Sequence, residues 1–174
     1  MYRYYTLFIS VFFLSHSCFT QSDNVKALEF YTAGMENYNA TNYELAIADF
    51  TKAIEENEKF VEAYFQRGCA KHYSDNYNGA VDDFSLAIDL RPDSEIFYKQ
   101  RGSSKTMLKD YKGAIEDCNK AIEIKKDYDK AFALRGILKI ELGDVDGCND
   151  LMMAGKYGYC LLYTSDAADE HGCV

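Results

Sequence analysis

Small residues return at a fixed interval of 34 positions through most of this chain. Gly34, Gly68, Gly102 and Gly136 form one series, Ala46, Ala80, Ala114 and Cys148 a second, and Ala53, Ala87, Ala121 and Gly155 a third. Bulky residues keep the same beat. Phe30, Tyr64, Tyr98 and Phe132 recur, as do Tyr43, Tyr77 and Tyr111 before Val145, and Phe50 and Phe84 before Cys118 and Met152. Such a recurrence restricts the fold to units that stack, because one unit of this length cannot bury its own apolar face.

Each unit reads as two helices. In the second unit, apolar residues at three- and four-residue spacing run over 61–73 and again over 77–90. Ser74-Asp75-Asn76 between them is a turn-forming cluster, and so short a link makes the two helices antiparallel neighbours. Gly68 and Ala80 then fall where the helices approach most closely, and a larger side chain there would cost about 1–3 kcal/mol by overpacking. Pro92 ends the second helix of its unit. A single proline in the whole chain agrees with an all-α reading.

These recurring slots resemble the tetratricopeptide repeat. The resemblance implies an α-solenoid of four antiparallel helix pairs, over 27–60, 61–94, 95–128 and 129–158. Val145 and Cys148 depart from the pattern, so the second helix of the fourth unit is the least well defined. The resemblance also places a concave groove on the first helix of each unit. Its slots are held by Leu28, Tyr31, Met35, Tyr38 and Asn39, then Glu62, Phe65, Cys69, His72 and Tyr73. The third unit contributes Ile96, Lys99, Ser103, Thr106 and Met107, and the fourth Lys130, Ala133, Ile137, Ile140 and Glu141. The candidate peptide-binding residues are Tyr31, Met35, Tyr38, Phe65, His72, Tyr73 and Lys99. Aromatic side chains suit this role because they give large contact area with a polar tip.

Some relatives in that family bind chaperone tails through a carboxylate clamp of lysines, asparagines and an arginine. The corresponding slots here hold Tyr31, Met35, Gln66, Ile96 and Gln100, or, one unit on, Phe65, Cys69, Gln100, Lys130 and Leu134. Neither set supplies the clamp, and no clamp is expected. Nucleic acid is not expected as a partner either, since 28 acidic against 19 basic residues leave a net charge of −9.

No phosphate loop or nucleophile elbow is present, so no catalytic centre and no cofactor are expected. No metal site is expected: Cys69 and His72 lack partners, and the weakly calcium-loop-like run Asp144 to Asn149 reads better as an inter-helix turn. Arg67, Arg101 and Arg135 recur, as do Asp49, Asp83 and Asp117. The repetition argues for structural Arg–Asp pairs between neighbouring helices, each worth about 0–1 kcal/mol if exposed. Cys118 and Cys148, standing in core slots, read as buried thiols, with a bridge between them as the alternative.

The two ends read differently. Residues 1–20 carry one charge, Arg3, then an apolar run from Leu7 to Leu14, then small polar residues. That is the layout of a secretory signal peptide, and the run is too short to span a membrane. A linker over 21–26 follows, and the protein is expected in the periplasm or outside the cell. The alternative is a lipoprotein anchored at Cys18. Residues 160–170 resemble the translation of a transposase-based sequencing adaptor, so 159–174 reads as a non-native tail. The functional reading is a non-catalytic protein- or peptide-binding scaffold. The alternative is an N-terminal interaction or regulatory arm of a longer enzyme or sensor, truncated at the adaptor join.

Overall fold

A 34-residue beat becomes visible as helix boundaries. The structure, a computed structural model, describes residues 24–158. Its first helix, α1, is helical over the described residues 24–39, three residues into the segment expected as a linker. The others are α2 Tyr43–Glu56, α3 Val61–Tyr73, α4 Tyr77–Leu90, α5 Glu95–Met107, α6 Tyr111–Ile124, α7 Asp129–Glu141 and α8 Gly147–Lys156. The described residues form no strand. The signal-peptide reading, Cys18 and the adaptor-like run lie outside them.

The second helix of each pair is held by one narrow stripe. α2 buries Ala46, Phe50, Ala53 and Ile54, and α4 buries Ala80, Asp83, Phe84, Ala87 and Ile88. These positions fall three or four apart, on one helical face. Residues 56, 90 and 124 end the second helices at one phase, although only α4 is followed by a proline. Proline is therefore one way of stopping the helix, not a requirement.

The turns inside the pairs are equally regular. Thr41, Asp75, Lys109 and Gly143 all take positive φ, and the next residue's N–H returns to a carbonyl five residues back, as in Asn42 to Asn37 and Asp144 to Lys139. This left-handed closure satisfies the carbonyls that a helix end leaves open. Asn76 and Asp110 then cap α4 and α6 by accepting from the N–H of Gly79 and Gly113.

The fourth pair breaks the beat, and this corrects the expected register. Asp150, not the residue one period after Asp117, faces Arg135. Gly147, Asp150 and Ala154 are the buried residues of α8. Each stands one residue short of the period from Ala114, Asp117 and Ala121. One residue has been lost in the turn, and the first turn of α8 closes through tight bonds, Gly147 to Asp144 and Cys148 to Val145, at 3.1 Å each. Cys148, Met152 and Gly155 are therefore not the core slots of repeat four. Cys148 is half-buried, Met152 is exposed, and a Cβ at Gly155 would meet nothing. Cys118 is a buried free thiol, so the Cys118–Cys148 bridge is not formed.

The glycine series also has a more specific cause than helix approach alone. A Cβ at Gly34 or Gly68 would sit 2.6 or 2.7 Å from the ring of Phe50 or Phe84. The glycine makes room for a ring from the partner helix. Where Cys118 replaces that ring, a Cβ at Gly102 would instead meet the Ala114 carbonyl at 3.2 Å.

Helix contacts set the curvature. α3 touches α5 and α5 touches α7, whereas none of α2, α4, α6 and α8 touches another of that set. The chain therefore closes on the side of the first helices, which line its inner face.

Candidate functional site

A ladder of ion pairs holds the inner helices in place. Arg67 Nε donates to Asp83 Oδ2 at 2.9 Å and its Nη2 to Oδ1 at 2.8 Å, while Lys71 reaches the same carboxylate at 2.9 Å. Arg101 and Lys105 treat Asp117 alike, and Arg135 and Lys139 treat Asp150 alike. The expected Arg–Asp pairs form at Asp83 and Asp117 but not at Asp49, Arg135 takes Asp150, and these three paired aspartates are buried rather than exposed. The remaining arginine nitrogen does something the sequence reading missed. Nη1 of Arg67, Arg101 and Arg135 donates to Thr51, Ser85 and Asn119 on the second helix of the preceding pair. These acceptors are themselves one period apart, which is the signal that could have found them. Each guanidinium also lies over an aromatic ring, of Tyr64, Tyr98 or Phe132, at 5.6, 5.6 and 5.2 Å. In the first pair, where Ala33 occupies the arginine phase, Asn37 supplies the bond to Asp49 at 2.8 Å. A cavity of about 460 Å³ beside this ladder, between α5 and α6, is lined by Arg101, Lys105 and Asp117 together with Tyr98, Glu116, Asn119, Lys120 and Glu123.

The seven candidate residues all lie on first helices, and they divide into three kinds. Tyr31, Met35, Tyr38 and Phe65 are partly spent on packing. Tyr31 lies 4.9 Å from the Phe60 ring and 5.7 Å from Phe50. Met35 packs on the cluster of Ala46, Phe50 and Ala70. Phe65 lies 5.7 Å from Phe84 and 4.9 Å from Phe97. Burial raises the Tyr31 phenol above its ordinary value, partly offset by its bond to Gln66, and burial likewise raises Tyr38. Tyr73 is exposed and stacks on Tyr43 at 5.6 Å, with Tyr38 edge-on to both.

His72 and Lys99 are the polar pair of the set. His72 Nδ1 lies 2.9 Å from Ser104 Oγ, a contact between α3 and α5 that no sequence motif announced. It is not a nucleophile–base pair open to substrate, because Ser104 is fully buried and its Oγ also reaches the Gln100 carbonyl at 3.2 Å. Burial, then the charge of Lys99, lowers the His72 value, so the imidazole is neutral near pH 7. Lys99 donates to Gln100 Oε1 at 2.9 Å.

Around these residues the inner face exposes large apolar side chains. Leu28, Ile96, Met107 and Ile137 are 57, 45, 53 and 48% exposed. All four stand at groove slots. Ala133 and Cys69, at other slots, are buried and offer nothing to a ligand. Among the described residues, no group of three or more His, Cys, Asp or Glu could hold a metal ion, and no helix is long and apolar enough to cross a membrane.

Comparison with known proteins agrees with this architecture. The family model described as Tetratricopeptide repeat matches residues 61–94 and 98–128. No curated protein sequence matches the chain. Among solved structures, the chain is similar to MamA, at 21% identity and a TM-score of 0.74 over 79% of this chain and 81% of that one. It is similar to the first TPR of Spaghetti (RPAP3), solved with an HSP90 peptide, at 21% identity and TM-score 0.67 over 69% of this chain and 95% of that one. It is also similar to YrrB, a TPR protein, at 19% identity and TM-score 0.68 over 80% of this chain and 74% of that one. These likenesses carry the fold, and the family model carries the repeat signature of the two central pairs. Residues 61–94 and 98–128 are thus tetratricopeptide repeats, set in a helical fold that these solved structures share.

Proposed function

We propose that this protein is a non-catalytic scaffold that holds a protein or peptide segment along its inner face, outside the cytoplasm. The observation that carries the reading is the row of exposed apolar residues, Leu28, Ile96, Met107 and Ile137, on the face where the first helices converge. Exposed apolar surface lined up in a groove is the usual mark of a partner site. Support also comes from two relatives of the same fold: one is solved with the HSP90 peptide SRMEEVD, the other is described as having an unusual peptide-binding site. The reading does not include a chaperone carboxylate clamp, because Tyr31, Met35, Gln66, Ile96 and Gln100 hold those slots.

The test is selection of short capped random peptides on the purified protein. Ile96→Glu and Ile137→Glu should weaken the selected peptides about tenfold or more, since each places a charge in an apolar contact, with thermal melts unchanged. If binding ignores both and responds instead to changes on α2 or α4, the inner face is not the site. Export rests on the layout of residues 1–20. Joined to alkaline phosphatase, this segment should give enzyme activity outside the cytoplasm, and a cytoplasmic, inactive fusion would refute it.

A further inference from the structure

The turn between α1 and α2 holds a motif that the scaffold itself does not use. Asn39-Ala40-Thr41 is the only place in the chain where an asparagine is followed two positions later by serine or threonine with no proline between. All three residues are exposed. Among the described residues, neither the Asn39 amide nor the Thr41 hydroxyl has a hydrogen-bond partner. Polar side chains nearby are spent on the fold. Asn37 donates to Asp49 at 2.8 Å, and Asp75, at the matching turn of the second pair, accepts from the Tyr77 phenol.

Thr41 is also ill suited to its backbone. It takes φ 62°, the left-handed conformation, as do Asp75, Lys109 and Gly143 at the same phase of the other turns. Glycine enters that region freely and aspartate tolerates it, whereas a branched Cβ crowds the neighbouring carbonyl. Thr41 is the one β-branched residue of the four. The turn closes without its side chain, through the Thr41 N–H to the Tyr38 carbonyl and the Asn42 N–H to the Asn37 carbonyl. A strained residue whose side chain does nothing for the fold is a sign of a use outside the fold.

The surroundings of Asn39 leave room for such a use. Its phase carries Tyr73, Met107 and Glu141 in the other pairs, and all three are exposed. The stacking of pairs covers none of these positions, so a bulky group on Asn39 would extend into solvent.

Resting on the export reading above and not on the groove, we infer that Asn39 is an N-glycosylation site, modified as the chain leaves the cytoplasm. The donor is an oligosaccharide carried on a lipid pyrophosphate, and an oligosaccharide transferase of the export route makes the transfer. Asn39 Nδ2 bonds to C1 of the first sugar, the C1–O bond to the pyrophosphate breaks, the amide gives up one proton, and the lipid pyrophosphate leaves. No electron is gained or lost. Thr41 supplies the hydroxyl that the acceptor triplet requires.

The test is peptide mass spectrometry of the exported protein, purified from the cells that make it. The peptide containing Asn39 should carry a glycan. The glycan should vanish in Thr41→Val, which keeps the size of the side chain, and persist in Thr41→Ser, which keeps the hydroxyl. Unmodified Asn39 in the exported protein would overturn the inference and leave the scaffold and export readings intact. A glycan that survives Thr41→Val would place the acceptor elsewhere and overturn it too. If the protein is found in the cytoplasm, the export reading falls and the inference with it. A second variant tests the strain directly. Thr41→Gly, in protein made without glycosylation, should raise the melting midpoint, because glycine relieves the left-handed turn. A lower midpoint would show that the fold holds Thr41 for its own stability, and the inference would lose its ground.

Discussion

A buried carboxylate between two cations is held by its partners and not by water. Removing Asp117 strands the guanidinium of Arg101 and the ammonium of Lys105 in a site where each is only about one-fifth exposed. Breaking a pair of this kind costs about 3–5 kcal/mol, because the remaining charge keeps its desolvation cost. Asp49 is the natural control. Its partners are the neutral Asn37 amide and an exposed lysine, so its removal should cost about 1 kcal/mol. Urea denaturation of Asp117→Ala and Asp49→Ala measures the contrast, and equal costs would show that the ladder contributes nothing beyond ordinary bonds. The buried thiols make a second prediction at this scale. Burial pushes Cys69 up to about 11 and Cys118 to about 12, from an ordinary value of 9.0. The folded state therefore keeps protons that the unfolded state gives up. Their contribution is fully present below about pH 9 and is lost as pH rises towards 11. Alkylation mapped by mass spectrometry should leave both residues unmodified at pH 8 in the folded protein. Rapid labelling of either without unfolding would contradict this.

At the scale of the helix, the same substitution should act in opposite directions at two glycines. Gly68→Ala drives a methyl group to 2.7 Å from the ring of Phe84, which is fully buried and has nowhere to go. Overpacking of about 1–3 kcal/mol should outweigh the roughly 1 kcal/mol that alanine gains in a helix. Gly155→Ala meets nothing within 4 Å and should stabilise α8 by about 0.5 kcal/mol. Thermal melts of the two variants should shift in opposite senses, and two downward shifts would return Gly155 to the core. The second glycine shows where the sequence ceased to be legible. Local residues gave the 74–76 turn and the stop at Pro92, and the period gave the helix pairs, because small residues and rings must meet at fixed phase. It misassigned α8 because Cys148, Met152 and Gly155 still satisfied the period with residues small or apolar enough to pass. A one-residue deletion in a turn is invisible to composition, whereas Asp150 opposite Arg135 was a readable sign of it. On the inner face the sequence located the helices and their slots. It could not say that Phe65 would be spent on Phe97, or that His72 would find Ser104, since both contacts depend on how adjacent pairs lean together.

At the scale of the whole molecule, the arginine ladder joins two kinds of contact in one side chain. Two nitrogens of Arg101 close its own pair on Asp117, and the third reaches back to Ser85 of the pair before, at 3.1 Å. Stability of a stacked-repeat protein is the sum of what each unit contributes and what each interface contributes. A side chain shared between both terms should make them non-additive. Arg101→Lys tests this, because an ammonium can neutralise Asp117 but lacks the planar fork needed to span both partners. Ser85→Ala should cost about 1 kcal/mol in the wild-type background, where it leaves a guanidinium donor unmet, and little beside Arg101→Lys. The double-mutant cycle should therefore give a coupling of about 0.5–1 kcal/mol. The interface loss should also loosen cooperativity, so the urea m-value should fall in Arg101→Lys as the two sides of the 85–101 contact begin to unfold separately. The cycle has its own internal check. Asn119 meets Arg135 as Ser85 meets Arg101, but Met152 takes the matching place on α8 and offers no acceptor of that kind. Met152→Ala should thus leave both the m-value and the coupling unchanged. If it lowers them as Ser85→Ala does, cooperativity runs through general packing, and the arginine bridge is not its carrier.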